Sequence, residues 1–244
     1  MGFVCTFYPI IRIIKQASSH KDANVTTSRT NTNATASPSH MENPALLDSW
    51  RRLNLSVKGQ PNQFQRHTQR ILFALEHKLY QFLPGALQDL FIALGENGRP
   101  LRERMYSLVV PLIDHNDREY FHEWLAHNND STLECHRFSG SVLTSKTCQI
   151  GEEDSDPYSP LTTGTVIQQG RHAIAYGRVE NAEVLLESAC AKKRPDTSHV
   201  EELMSLYAAT RQKEKLSALA DNLQTKRFKL SKHWKQVLES SKEW

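Results

Sequence analysis

Small and apolar side chains recur at a fixed interval in the last third of the chain, and no other sequence feature constrains the fold as strongly. Shifting the chain by 34 residues against itself brings two sets of six positions into register. The first set is Val166, Ala173, Gly177, Ala182, Leu186 and Ala189, and the second is Val200, Tyr207, Arg211, Leu216, Ala220 and Leu223. A further shift of the same length places Trp234 over Val200. This interval is typical of two antiparallel helices stacked as a repeat.

The spacing within the first unit predicts how its hairpin closes. Gly177 falls in the tight turn between the two helices, where a side chain would crowd the chain reversal. Ala182 lies where the helices approach each other most closely, and Leu186 and Ala189 follow on the same helix face. The pattern therefore predicts a closely packed helix pair.

The ends of the units carry their own signals. Pro195 is predicted to end the second helix, and Asp196-Thr197-Ser198 to cap the next one. A final helix containing Trp234, Val237 and Leu238 is expected to cover the apolar end of the stack, because terminal faces of a solenoid would otherwise remain in contact with water.

Residues 165–244 resemble tetratricopeptide repeats, most clearly in the Tyr-Gly-x-Val-x-x-Ala pattern from Tyr176 to Ala182. The second unit departs from that pattern, since Arg211 replaces the turn glycine and Leu216 the packing alanine. The run Ala-x-Val-Leu-Leu-Glu after the glycine turn is also similar to the C-terminal helical domain of the FimV family of type IV pilus assembly proteins. That resemblance implies a bacterial cytoplasmic scaffold of polar or envelope assemblies. An ordinary helical bundle with recurring alanines is the alternative.

Stacked helix pairs form a shallow groove that commonly receives a peptide or a partner helix. We therefore predict a non-catalytic interaction or assembly protein that acts through such a groove and needs no cofactor. Tyrosine and arginine contribute much of the binding energy at protein interfaces. The residues predicted to line or support the groove are Tyr176, Arg178, Tyr207 and Arg211.

A basic run near the end of the chain gives the alternative function, nucleic-acid binding. It consists of Lys226, Arg227, Lys229, Lys232 and Lys235. Such a run can grip phosphates or an anionic surface. It can equally be the solvated face of a helix whose Phe228, Leu230 and Trp234 point inwards, and acidic residues elsewhere in the region nearly offset its charge. We favour the solvated face, because a net charge of +3 is too small to require an anionic partner.

The rest of the chain predicts an all-α protein with a leader and a connector. Residues 1–45 are rich in Ser, Thr, Asn and Ala and are expected to be disordered. The beginning of the chain has three alternative interpretations. They are a myristoylation signal, a secretory signal, and an extension that precedes a true start at Met41. Residues 46–127 have helical periodicity, and residues 128–164, with two glycines, an acidic run and prolines, are a connector with little to pack.

Three helices are predicted in more detail within residues 46–127. Apolar spacing predicts one from Gln65 to Leu83 that breaks or restarts at Pro84-Gly85 and continues to Leu94. The next begins at Arg99-Pro100 and buries a stripe of Leu101, Met105, Leu108, Val109 and Leu112. Asp117 is expected to cap a short helix that buries Phe121 and Trp124.

No motif for catalysis or phosphate binding occurs in the sequence, so no catalytic, cofactor-binding or metal-binding residue is predicted. The one cluster of zinc-ligand types is His115, His122, His127, Cys135, His136 and Cys148, but its spacing matches no known zinc motif. The four cysteines form no CxxC pair, which favours a reducing, cytoplasmic location. No apolar run is long enough to span a membrane.

Overall fold

The computed structural model describes residues 43–127, 136–144, 161 and 163–244. Within these ranges the regular secondary structure is helical and no strand occurs, so the predicted all-α fold is confirmed. The predicted leader, up to residue 42 and including the proposed start at Met41, lies outside the described residues.

Five helices lie within residues 43–127. They are α1 (Pro44–Gly59), α2 (Phe64–Glu76), α3 (Leu83–Leu94), α4 (Arg99–Val109) and α5 (His115–Ala126). Short 3₁₀ turns span Tyr80–Phe82, Gly95–Gly98 and Val110–Leu112. The start of α1 follows from local sequence, because the Asn43 side chain accepts a hydrogen bond from the Ala45 amide at 3.1 Å and Pro44 occupies the first turn.

The predicted continuous helix from Gln65 to Leu83 is wrong, because the chain leaves the helix at Glu76. Lys78 adopts a left-handed conformation with φ 56°, and the next amide, that of Leu79, donates to the Ala74 carbonyl at 2.8 Å. This pair of features closes a helix end. Helix α3 then begins at Leu83 with Pro84 in its first turn, where a missing N–H costs nothing.

Two further predictions for this part are wrong. Helix α5 begins at His115 with Asp114 at the capping position, so Asp117 lies inside the first turn and is not the cap. The stripe of α4 buries Met105 and Val109 as predicted, but Leu112 is 40% exposed because the chain has turned into the 3₁₀ segment before reaching it.

The carboxy-terminal helices are α6 (Val166–Ala175), α7 (Val179–Cys190), α8 (Thr197–Ala209), α9 (Lys213–Thr225) and α10 (Lys232–Ser240), followed by a 3₁₀ turn at Ser241–Glu243. Thr165 and Gln168 form a capping box at the start of α6, and the Asp196 carboxylate caps α8 as predicted. Helix α7 ends at Cys190, before Pro195 is reached. Arg171 of α6 and Glu202 of α8 form a bidentate ion pair at 2.8 and 2.7 Å.

The turns of the two hairpins each contain a residue with positive φ at the equivalent position. Gly177 has φ 82° and Arg211, 34 residues later, has φ 57°. In each turn the following amide donates back across the helix end, from Arg178 to the Ala173 carbonyl at 2.8 Å and from Gln212 to the Tyr207 carbonyl at 2.9 Å. Arg211 therefore holds a conformation that is natural for glycine and strained by roughly 1–2 kcal/mol for other residues.

Helix α1 contributes to both apolar cores, and the chain from Pro38 to Trp244 forms one compact unit. Trp50 stacks on Phe82 with ring centroids 5.2 Å apart in the amino-terminal core. Leu55 and Val57, a turn or two further along α1, belong to the core formed by α6 to α10, which also buries Trp234. The hairpins therefore pack against the amino-terminal helices through α1.

We expect Arg211→Gly to raise the free energy of unfolding by about 0.5–1 kcal/mol. Glycine removes the strain of the positive φ, and this gain exceeds the extra freedom it gives the unfolded chain. Urea denaturation of the variant and of Arg211→Ala would test this, since alanine removes the same side chain but retains the strain. Equal stability of the two variants would contradict the argument.

We expect Asp117→Asn to stabilise the protein at neutral pH by about 1–2 kcal/mol. Burial, followed by the neighbouring Asp114 charge, raises the pKa of Asp117 from 3.8 to about 6. The folded state therefore binds this proton more tightly than the unfolded state, and the wild-type protein loses stability as pH rises from about 4 to about 6. The difference between variant and wild type should grow over this pH window and level off above it. If the difference in free energy of unfolding between variant and wild type is constant from pH 4 to pH 8, the pKa of Asp117 is not raised.

Candidate functional site

The face formed by the first helices of the two hairpins, α6 and α8, is covered by α1 of the same chain. The indole N–H of Trp50 donates to the Ala175 carbonyl at 2.9 Å. The Asn54 amide donates to the carbonyls of Ile174 and Ala175 at 2.8 and 3.2 Å. These bonds satisfy the last carbonyls of α6, which lack partners within the helix.

The far end of α1 approaches α8 equally closely. A methyl group at Gly59 would lie 2.3 Å from the Ala209 carbonyl oxygen, so only glycine permits this contact. The Lys58 ammonium group donates to the Val142 carbonyl at 2.9 Å and to the Glu180 carboxylate at 2.7 Å. The part of the hairpin face that lies under α1 is therefore occupied by the chain itself.

Two of the four residues predicted to line or support a groove are buried. Arg178 is 4% exposed at the start of α7, and Tyr207 is 3% exposed. The Tyr207 hydroxyl donates to the Glu187 carboxylate at 2.6 Å, and burial together with this bond raises the pKa of Tyr207. Both residues are placed to support the hairpins and not to line a surface.

The other two predicted residues differ from each other. Tyr176 is half-buried, with its ring edge-on to Phe82 at 5.2 Å and near His172 at 4.7 Å. Arg211 is exposed at the tip of the α8–α9 turn. The structure does not bring the four residues together on one open surface, and of the four only Arg211 is exposed.

A buried ion pair between Arg70 of α2 and Asp89 of α3 was not predicted from the sequence. Both side chains are fully buried. Asp89 also accepts hydrogen bonds from the Ser141 hydroxyl at 2.7 Å and from the amides of Val142 and Leu143 at 2.9 and 3.0 Å. Because hydrogen bonds occupy every direction around the carboxylate and it has no contact with solvent, Asp89 anchors the segment that contains Ser141, Val142 and Leu143.

Gln88 fixes the same segment from the neighbouring position. Its amide donates to the His136 carbonyl, and its oxygen accepts from the Phe138 amide at 3.3 Å and the Thr144 hydroxyl at 3.1 Å. The expectation that the connector has little to pack is therefore wrong for residues 136–144, which bury Phe138 and Val142. The only sequence signal was a polar pair, Gln88-Asp89, within an otherwise apolar helix.

Histidines and cysteines form no chemical centre in the part of the chain that the structure describes. There, no group of three or more His, Cys, Asp or Glu side chains could hold a metal ion. His115, His122 and His127 are exposed, and the His136 ring lies 4.4 Å from that of Phe138. Cys135 and Cys148 fall outside the described residues. Cys190 is a free thiol, and burial raises its pKa to about 11, which leaves it unreactive.

A cleft of about 550 Å³ lies between the start of α1 and the end of α2. Leu46 and Phe73 form its apolar wall, and Glu76, His77 and Lys78 form its rim. None of the residues that line it is buried. It is a surface depression with no enclosed polar group to orient a substrate.

We expect Asp89→Asn to lower the free energy of unfolding by about 3–5 kcal/mol, because it leaves the Arg70 charge buried without its partner. Glu103→Gln is the control, since Glu103 pairs with Arg99 on the surface and its loss should cost less than about 1 kcal/mol. Urea denaturation of both variants measures the difference. Similar losses in the two variants would show that the buried pair has no special role.

Comparison with known proteins gives no relative from which a role could be transferred. The chain matches no family model, no curated protein and no solved structure. The described helices include none that is long and apolar enough to cross a lipid bilayer. The resemblance to tetratricopeptide repeats and to the FimV family therefore stays a prediction from the sequence.

Proposed function

We propose that this chain is a non-catalytic interaction protein that binds a protein partner on its carboxy-terminal hairpins. The observation that carries the proposal is the seating of α1 across α6 and α8. That contact combines buried apolar side chains, such as Leu55, with side chains that bond main-chain carbonyls of α6. It is helix-in-groove recognition within one chain, and it supports the view that the hairpins are built to receive a helix or peptide.

The buried polar groups are also consistent with a structural molecule. Asp89 and Gln88 use their hydrogen-bonding capacity to hold residues 136–144. Tyr207 bonds Glu187, and a tyrosine with a raised pKa is a poor base at neutral pH. These groups stabilise helices and offer no reacting atom to a substrate.

Because α1 covers the face near α6, the proposed docking surface is the tip of the second hairpin, which we call the turn surface and define as Ala209, Arg211 and Lys213. All three residues are exposed. The Gln212 amide donates a hydrogen bond to the Tyr207 carbonyl. This bond fixes the turn from which Arg211 projects. Arginine on a rigid turn suits bidentate binding of a partner carboxylate. Tyr176, Arg178 and Tyr207 then act as supports.

The resemblance to the FimV family adds a cellular location and a type of partner to this proposal. Similarity to FimV would give the protein a cytoplasmic location and a partner in a bacterial type IV pilus or envelope assembly. Stacked hairpins supply the extended surfaces that assembly scaffolds use.

We expect Arg211→Gln to reduce partner capture by the full chain at least about fivefold, as for an interface arginine that contributes more than 1 kcal/mol. Arg104→Gln is the matched control, because Arg104 is an exposed arginine on α4. Affinity capture from cells with cross-linking, quantified by mass spectrometry, would identify proteins bound by the wild type and by the control. If the same proteins remain bound to Arg211→Gln, the turn surface is not the docking site.

A further inference from the structure

The loop after α7 and the loop after α9 lie side by side at one end of the hairpins. The Lys226 ammonium group donates to the carbonyls of Cys190, Ala191 and Lys192 at 3.1, 3.2 and 3.1 Å. A cation at this position satisfies the unpaired carbonyls that end α7 and joins the two loops into one surface.

This surface collects basic residues that are far apart in the sequence. We call it the basic end and define it as residues 191–196 and 225–235. Its basic side chains are Lys192, Lys193, Arg194, Lys226, Arg227, Lys229, Lys232 and Lys235, and its one carboxylate is that of Asp196. The surplus is seven positive charges in a chain whose net charge is +3, so the remaining residues are net negative. The 34-residue interval contributes directly, because it places Lys192-Lys193 and Lys226-Arg227 at the same point of successive hairpins.

Most basic side chains of the basic end are exposed to solvent. All of its basic residues except Lys226 are exposed, and none of them forms an ion pair with another residue of the described ranges. Asp196 caps α8 by accepting from the Ser198 amide at 3.2 Å. On α7, the Glu187 carboxylate accepts a hydrogen bond from the Tyr207 hydroxyl. The positive potential of this surface is therefore available to a ligand.

The chemistry of the surface selects among anionic ligands. Phe228, Leu230 and Trp234 pack into the hairpin core and do not project from the basic end. The large apolar side chains that are exposed in the described residues, namely Phe64, Tyr80, Leu112, Leu161 and Val184, all lie outside it. The basic end thus offers no apolar anchor for a protein interface or a bilayer, and no exposed aromatic ring on which unpaired bases could stack.

We infer that the basic end binds the phosphate backbone of double-stranded nucleic acid without reading its sequence. Rows of lysine and arginine neutralise phosphates and release the counterions that surround a duplex. This function goes beyond the proposed docking of a protein at the turn surface and does not depend on it. The sequence pointed only to the run from Lys226 to Lys235, and the structure adds Lys192, Lys193 and Arg194 to the same surface.

The test measures binding of the full chain to fluorescein-labelled duplexes of about 20 base pairs, in two unrelated sequences, between about 50 and 200 mM salt. We expect both sequences to bind equally, with the logarithm of the affinity falling by about 3 or more per tenfold rise in salt. Duplex DNA and duplex RNA are compared in parallel, because both present the same phosphates.

Two double variants measure the contribution of each loop to binding. Lys192→Gln with Lys193→Gln, and Lys229→Gln with Lys232→Gln, should each weaken binding about tenfold and reduce the salt slope by about 1 to 2. Arg104→Gln with Lys78→Gln removes the same charge away from the basic end and should leave both quantities unchanged. Thermal unfolding of all variants verifies that they are folded.

Several results would overturn the inference. They are no binding at about 50 mM salt, binding that is independent of salt, a preference for one sequence, or an equal loss in the control variant. Vesicles containing anionic phosphatidylserine form a second arm. Binding to vesicles that equals or exceeds binding to the duplexes would replace nucleic acid by a membrane surface as the ligand.

Discussion

The buried pair of Arg70 and Asp89 is the interaction on which the rest of the structure depends. Two fully buried charges are stable only when further hydrogen bonds offset the loss of water. Asp89 obtains these bonds from the backbone of Val142 and Leu143, and Arg70 donates to the Gly140 carbonyl and lies 5.0 Å from the Trp50 ring. The pair therefore requires both residues 140–143 and α1 to occupy their observed positions.

Gly140 and Ser141 link this buried pair to the first hairpin. Gly140 donates to the Tyr176 carbonyl at 3.0 Å, and a methyl group at Gly177 would lie 2.1 Å from the Ser141 carbonyl oxygen. Gly177 is thus needed twice, once for the positive φ of its turn and once for this close approach. At the equivalent turn, Arg211 itself is exposed, which is consistent with a long side chain being tolerated there. As a consequence, one end of the first hairpin is enclosed, while the turn surface and the basic end remain exposed.

Local signals made much of the helical structure predictable. The capping residues Thr165 and Asp196, and Pro100 in a first turn, act within a few residues of the chain, so their effect can be judged without knowing the fold. The helix end at Lys78 was missed, because a lysine with positive φ has no sequence signature. The sequence could not decide whether Arg178 and Tyr207 line the predicted groove or support it from inside. Both residue types occur in cores and in interfaces, and only tertiary contacts distinguish the two.

The sequence by itself determined the all-α fold, the 34-residue interval and the basic run near the end, because periodicity and charge are properties of the chain. Tertiary structure decided that α1 covers α6 and α8, that Phe138 and Val142 of the segment 136–144 are buried, and that Lys192 to Arg194 join Lys226 to Lys235. Each of these outcomes depends on hydrogen bonds or packing between residues more than 30 positions apart. These long-range contacts depend on which buried polar groups can form hydrogen bonds. The position of every helix affects that outcome.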